Sequence, residues 1–209
     1  MKCSLNSSNI DSILKVIPTM RNIKHLNLSD NEFNKNDHSY LLKAIQSLVN
    51  LVSIALNNCE IGKEGIHGLF SVMKNFNYLR EIYIAYNNMT DTGLQRIETD
   101  FRGSFNAITH LNVSGNVLGP NGAQYLSKFL ADKNELQYIR FSSNKIKPPG
   151  LQQVLNRVEG KGKVKDVDIG DNLLGDAGAD FLLSFLNHNK VYSIGFRIFK
   201  HYEERHKRK

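Results

Sequence analysis

The sequence predicts an α/β solenoid, with short parallel strands lining a curved concave face and α-helices covering the convex one. Three observations carry that expectation. An eleven-residue run, apolar at its first, fourth, sixth and eleventh places, recurs at 23–33, 51–61, 79–89, 108–118, 136–146 and 164–174, and a partial seventh copy opens at Val191. The ninth place holds Asn31, Asn87, Asn116, Asn144 and Asn172, with Cys59 as the exception. Downstream of each run, apolar residues return four places apart. A fixed period of 28 or 29 residues marks stacked repeats rather than a closed globule.

Each unit can be justified element by element. The alternating fourth and sixth places of a run are the signature of a short strand with one face buried. The Asn slot follows, where the chain must turn and its backbone amides must find partners. A side-chain amide both donates and accepts, so a column of such residues can serve the turns above and below it. Six residues past that slot stand Asp37 and then Gly65, Gly93, Gly122, Gly150 and Gly178. Apolar pairs follow at Leu41 and Ile45, Leu69 and Met73, Ile97 and Phe101, Leu126 and Leu130, Val154 and Val158, and Leu182 and Leu186. Spacing of i, i+4 defines one face of a helix. A strand–turn–helix unit cannot bury its apolar stripe alone, so neighbours bury it for one another.

The pattern L-x-x-L-x-L-x-x-[N/C]-x-L at this period resembles the leucine-rich repeat in its ribonuclease-inhibitor-like class, and the match covers nearly the whole chain. The resemblance implies a horseshoe whose ligands are proteins, held on the concave face or on the ascending loops that follow the strands. The expected organisation is a repeat domain over residues 1–196, followed by a basic tail at 197–209. Within the domain stand a partial repeat at 1–22, six full repeats at 23–190 and a partial one at 191–196. Counting back in the same frame puts Cys3 on the Asn slot of the earliest unit and Ile13 and Ile17 on its helix slots. The strand of that unit is missing, as in a fragment of a longer array or a unit decayed into a cap. On the fragment reading, the apolar helix at 9–20 leaves a partly open N-terminal edge as a contact surface.

The ladder expected to hold the turns is thus Cys3, Asn31, Cys59, Asn87, Asn116, Asn144 and Asn172. Its two thiols stand two repeats apart, roughly 10 Å at the spacing of parallel strands. A disulfide spans at most about 7 Å between α-carbons, so the reading is two reduced, buried, structural cysteines.

Composition adds to this. No run approaches the 18 apolar residues of a membrane span, and MKCSLNSSNI lacks a signal core, so a cytoplasmic protein is the expectation. High Asn, Lys and Ile content hints at an AT-rich genome, and a secreted, host-directed effector of an intracellular pathogen is the variant of that reading. Net charge is +7, of which the tail Arg197–Lys209, with six Lys/Arg and two Glu, carries +4. The tail is expected to form a charged end cap or a handle for nucleic acid or an anionic membrane. The basic balance favours a protein partner with an acidic surface. Actin-capping tropomodulins and Ran GTPase-activating proteins are built on similar repeats, so an actin-like protein and a small GTPase are the two partner types that the resemblance suggests.

Catalytic patterns are missing: there is no H-E-x-x-H, C-x-x-C or G-x-S-x-G, and no G-x-G-x-x-G after a strand. No cofactor or metal is expected, and the chain reads as a non-enzyme. Places three, five and seven of each run face the concave side. Place three reads His25, Ser53, Glu81, His110, Tyr138, Asp166, and place five reads Asn27, Ala55, Tyr83, Asn112, Arg140, Asp168. His25 and His110 stand about 14 Å apart, too far to share a metal. Glu81 beside His110 and Arg140 beside Asp168 are expected cross-strand ion pairs. Tyr and Arg dominate binding hot spots, so the candidate protein-binding set is Glu81, Tyr83, Tyr86, His110, Tyr138, Arg140, Asp166 and Asp168.

Overall fold

The computed structural model describes residues 7–33, 35–159, 161–188 and 193–195. Each repeat contributes one three-residue strand: β1 (His25–Asn27), β2 (Ser53–Ala55), β3 (Glu81–Tyr83), β4 (His110–Asn112), β5 (Tyr138–Arg140), β6 (Asp166–Asp168) and β7 (Ser193–Gly195). All seven are parallel, and their order in the sheet is their order in the chain. Register follows the repeat: His25 pairs with Ser53, Ser53 with Glu81, Glu81 with His110, His110 with Tyr138, and Tyr138 with Asp166. Each crossover carries a helix. The helices are α1 (Ser7–Val16), α2 (Lys35–Gln46), α3 (Gly62–Met73), α4 (Asp91–Phe101), α5 (Pro120–Phe129), α6 (Pro148–Glu159) and α7 (Gly175–His188). Among the described residues no helix is long and apolar enough to cross a membrane.

The two periodicities meet in one continuous core. The middle residue of each strand through β6, from Leu26 to Val167, is buried, and so are the helix pairs from Leu41 and Ile45 to Val154 and Val158. Between the third and fifth units the core turns aromatic. Phe70 of α3 packs against Phe101, Phe105 and Phe129 at ring distances of 6.3, 5.2 and 6.0 Å. Such pairs add about 0.5–1.5 kcal/mol each beyond area burial. Helix starts follow local chemistry: the Thr90 hydroxyl accepts from the Gly93 amide, and Pro120 and Pro148 open α5 and α6 with φ already set. Gly150 allows α6 to lie against α5, since a Cβ there would come within 2.6 Å of the Ala123 methyl.

Two helix positions depart from the expected frame. Ile13 is exposed, whereas Ile10, Leu14 and Ile17 are buried. The described contacts of α1 are with α2, so α1 turns its i, i+4, i+7 stripe toward that helix and leaves Ile13, Val16 and Met20 outward. Leu186, expected inside, is also exposed, while Leu182 and Phe185 of the same helix are buried.

The Asn column stitches the units in one direction. The Asn116 side-chain oxygen accepts from the amides of Asn87 and Met89 in the preceding unit (3.1 and 2.9 Å). Its Nδ2 donates to the carbonyls of Ile84, Val113 and Ser114. Asn87 repeats the motif toward Cys59 and Ile61, Asn144 toward Leu118, and Asn172 toward Ile146. Cys59 keeps only the donor half, its thiol pointing at the carbonyls of Leu28 (3.1 Å) and Asn57 (3.3 Å). Burial is the main cause that pushes this thiol up to about 11, so it stays protonated and inert. Cys3 lies outside the described residues. Asn116→Ala would leave buried amides and carbonyls of two units without partners. The expected loss is about 3 kcal/mol of unfolding free energy in a urea titration. A loss under about 1 kcal/mol would show that water replaces the amide and that the ladder is dispensable.

Candidate functional site

The concave face is built by the outward-pointing ends of each three-residue strand, and the register brings β3 to β6 together as its centre. The His110 imidazole lies flat on the Tyr138 ring, 4.2 Å between centroids and 11° between planes. Tyr83 leans toward the same imidazole at 6.3 Å and 51°. Glu81 borders this group: its carboxylate accepts from the Tyr83 hydroxyl at 3.3 Å and stands 3.9 Å from His110 Nδ1. Thr109 Oγ1 meets the same nitrogen at 2.8 Å. The three rings are half-buried by one another, and Arg140 beside them is exposed.

Burial shifts both titratable rings toward their neutral forms. The phenol of Tyr83 is pushed up to about 12, first by burial and then by the Glu81 charge. His110 sits below its ordinary value because burial outweighs the opposing pull of Glu81. The face therefore presents a neutral aromatic platform at neutral pH.

The expected ion pair between Arg140 and Asp168 is not formed. The Asp168 carboxylate is taken by the Ser142 hydroxyl (3.0 Å) and by the Gly170 amide (3.2 Å). Two short local hydrogen bonds win over a long, fully hydrated guanidinium whose pairing in water is worth about 0.2–1 kcal/mol. Arg140 has no ion-pair partner among the described residues and projects toward solvent. Asp166 lies beside Tyr138 in register, so the row across the sheet reads Glu81, His110, Tyr138, Asp166: two stacked rings between two carboxylates.

Tyr86 does not belong to the sheet rows. It occupies the eighth place of its run, on the ascending loop, with left-handed backbone at φ 55°. That place is left-handed in every full repeat: Asp30, Asn58, Tyr86, Gly115, Ser143 and Asp171 have φ between 52° and 62°. Asp, Asn and Gly tolerate this conformation, whereas a bulky ring does so at a cost. Side chains of this column pair across units, Asn58 with Asp30 at 3.0 Å and Ser143 with Asp171 at 3.3 Å. Tyr86 pairs with Gly115 instead: a Cβ at Gly115 would fall 2.1 Å from the ring. The turn-forming residue types at this place were a readable signal, and the aromatic exception among them was the informative one.

Charge is unevenly spread between the two edges. Asp30, Glu32, Glu60, Asp91 and Asp171 stand at the ascending loops, where helices begin, with Lys145 and Lys147 among them. The opposite edge, where helices end and strands begin, carries Lys24, Arg80, Lys161, Lys163 and Lys165, with Asp132 and Glu135 among them. Most of these charges face the helix-dipole end that favours them. Lys133 goes further: it is fully buried on that edge, its ammonium donating to the Arg102 carbonyl at 2.7 Å, pairing with Asp132 and sitting 4.5 Å over the Phe129 ring. The tail at 197–209 lies outside the described residues.

The architecture, parallel strands inside and helices outside at a 28-residue pitch, defines a leucine-rich-repeat solenoid. A family model described as "Leucine Rich repeat" matches residues 19–36, 77–97 and 107–127. The chain is 23% identical to a ribonuclease inhibitor of Sus scrofa over 206 residues, covering 84% of this chain and 45% of that one. It is 26% identical to RAN GTPase-activating protein 2 of Arabidopsis thaliana over 111 residues, 53% of this chain and 20% of that protein. Among solved structures, the tropomodulin C-terminal domain of Caenorhabditis elegans superposes with a TM-score of 0.57 at 16% identity, covering 73% of this chain and 93% of that domain. The chain spans less than half the length of the curated relatives it matches. Its repeats are leucine-rich repeats, similar to those of the ribonuclease-inhibitor-like class.

The covered imidazole makes a measurable statement. Because the folded His110 pKa lies below its unfolded value, the unfolded chain takes up its proton first. Stability from this group is intact above about pH 6.5 and falls as pH drops toward the folded midpoint. NMR titration should give His110 a midpoint below 6.5, and Tyr138→Ala, which uncovers the ring, should move it back up. An unmoved midpoint would mean that Tyr138 does not shield the imidazole.

Proposed function

We propose that the chain is a non-catalytic protein-binding module whose ligand docks on the concave face at Tyr83, His110, Tyr138 and Arg140. The observation that carries this reading is the stacked His110–Tyr138 pair on the strands, with Tyr83 beside it and an unpaired Arg140 at its rim. Rigid aromatic surface and a free guanidinium are the residue types that dominate protein contacts, because they cover large areas at little entropic cost. The face is open rather than enclosed, which suits a macromolecule. A stable complex covers about 800 Å² on each side. The repeat class, whose members serve as protein-binding scaffolds, supports the same reading, and the buried, protonated Cys59 thiol fits a reducing, cytoplasmic setting. On this reading residues 1–196 form the binding domain and 197–209 an appended tail.

Replacing Tyr83, Tyr138 and Arg140 together by Ala tests the assignment. Partner capture from lysate, read by mass spectrometry, should be lost, while the urea midpoint changes little. Partners captured equally by wild type and variant would remove the concave face as the docking site. The same preparations offered to small GTPases report on the regulatory alternative: GTP hydrolysis should stay at its intrinsic rate, and acceleration would replace the passive module by a GTPase activator.

A further inference from the structure

We propose that the groove between α1 and α2, on the convex side of the array, is a separate docking site for an acidic segment of a protein, which sets one apolar side chain between carboxylates. The site is independent of the concave-face reading, since helices and strands form opposite layers. Leu14, Lys15 and Pro18 line it from the first unit, and Tyr40, Lys43 and Ala44 from α2.

Local sequence opens this gap. Its floor is Ala44, at the place where the later helices carry Val72, Asp100, Phe129, Arg157 and Phe185, all larger. Pro18 has no amide to carry α1 onward, so the helix closes in a tight turn at Ile17–Thr19. Neighbouring gaps are filled instead. Leu42 lies against Gly68 between α2 and α3, where a Cβ would come within 2.7 Å of it. Glu64–Arg96 and His67–Asp100, at 2.6 and 2.7 Å, bridge α3 and α4. Ser127 donates to the Gln153 carbonyl at 2.9 Å between α5 and α6. The groove also lies on the other flank of α1 from Ile13, Val16 and Met20, so a unit stacked on that edge leaves it open.

Charge names the occupant. Lys15 and Lys43 hold the same place in adjacent units, both exposed, and neither has an ion-pair partner among the described residues. Lys43 lies 5.9 Å over the Tyr40 ring of its own helix. The acids of these helices, Asp11 and Asp37, stand about one and two turns before the lysines, toward the helix starts, and Asp37 is buried. No acid lines the groove itself. Two like charges beside an apolar floor attract an acidic ligand and repel a basic one. A pair of cations is small for a membrane surface, which clusters of about four to eight Lys/Arg engage. Packed helices lie about 8–10 Å apart, a distance that an extended segment covers in about three residues. Carboxylates at that spacing reach both lysines, and a Leu or Phe between them meets Leu14, Pro18, Ala44 and the half-exposed Tyr40 ring.

The test is selection of a randomised eight-residue peptide library on the full chain, followed by anisotropy with the labelled winners. The winners should carry Asp or Glu on both sides of a Leu or Phe. Lys15→Glu/Lys43→Glu should weaken them about tenfold or more, with the urea midpoint unchanged because both side chains are exposed. Exchanging the apolar residue of a winner for Ser should weaken it about as much. The charge-matched variant Lys74→Glu/Lys128→Glu, elsewhere on the convex side, should bind as wild type, and so should the Tyr83/Tyr138/Arg140 triple-Ala variant. A selection without acidic winners overturns the proposal, as does a winner indifferent to loss of its apolar residue. Winners that keep full affinity for Lys15→Glu/Lys43→Glu, or that weaken equally with the charge-matched variant, also overturn it, because net charge alone then draws them. If they are lost from the triple-Ala variant and kept by Lys15→Glu/Lys43→Glu, the concave-face reading stands and this one falls. Phosphatidylserine vesicles that sediment the wild type and not Lys15→Glu/Lys43→Glu, with no acidic peptide selected, would assign the groove to a membrane and overturn it too.

Discussion

Everything in this fold depends on one interaction: the side-chain amide at the end of each strand, which completes the turn of the unit before it. A three-residue strand has too few ladder bonds to persist alone. It is held because Asn87, Asn116, Asn144 and Asn172 each accept through Oδ1 from amides of the preceding turn and donate through Nδ2 to carbonyls of their own unit and of the preceding one. That bonding sets the pitch and the exact parallel register. The register in turn decides which side chains become neighbours. His110 stacks on Tyr138, and Glu81 stands beside His110, only because residues 28 or 29 apart are brought level. The candidate site is a by-product of the ladder.

Much of this was legible beforehand, and for physical reasons. A buried strand alternates with period two and a buried helix face with period close to four, so six copies of one pattern fix the strands at 25–27, 53–55 and onward to within a residue. Cross-strand neighbours then follow by counting. What could not be counted was anything set by competition. Arg140 and Asp168 are level with each other, yet the carboxylate chose Ser142 and Gly170. Ile13 and Leu14 are adjacent, and the helix rotated to bury the second because α2 lies on that side. Net charge gives no map of its own: the +7 of the whole chain does not say that Glu81, Asp166 and Asp168 lie on the concave strands and Lys161, Lys163 and Lys165 on the helix-ending edge.

The two edges also differ in how far their side chains are already engaged. Lysines on the helix-ending edge cap carbonyls and pair with neighbouring units, as Lys133 does with the Arg102 carbonyl and Lys161 with that of Ala131. On the opposite rim the side chains hold one another across loops, Asn58 to Asp30 and Ser143 to Asp171, around a single aromatic exception. The first edge is spent on the array, whereas the second, with the adjoining strands, keeps exposed rings and carboxylates available.

The ladder has a direction, and direction has consequences in time. Each Asn reaches toward residues 26 to 29 positions earlier in the chain, as Asn87 does to Cys59 and Ile61, and Asn116 to Asn87 and Met89. A turn emerging from the ribosome is therefore still missing an acceptor for its amides until the strand and Asn of the following repeat have been synthesised. The nascent array advances with its last-made unit incomplete, and structure trails synthesis by about one repeat all along its length. During synthesis the ladder can close only in the order in which its units are made, each new unit capping the one just finished.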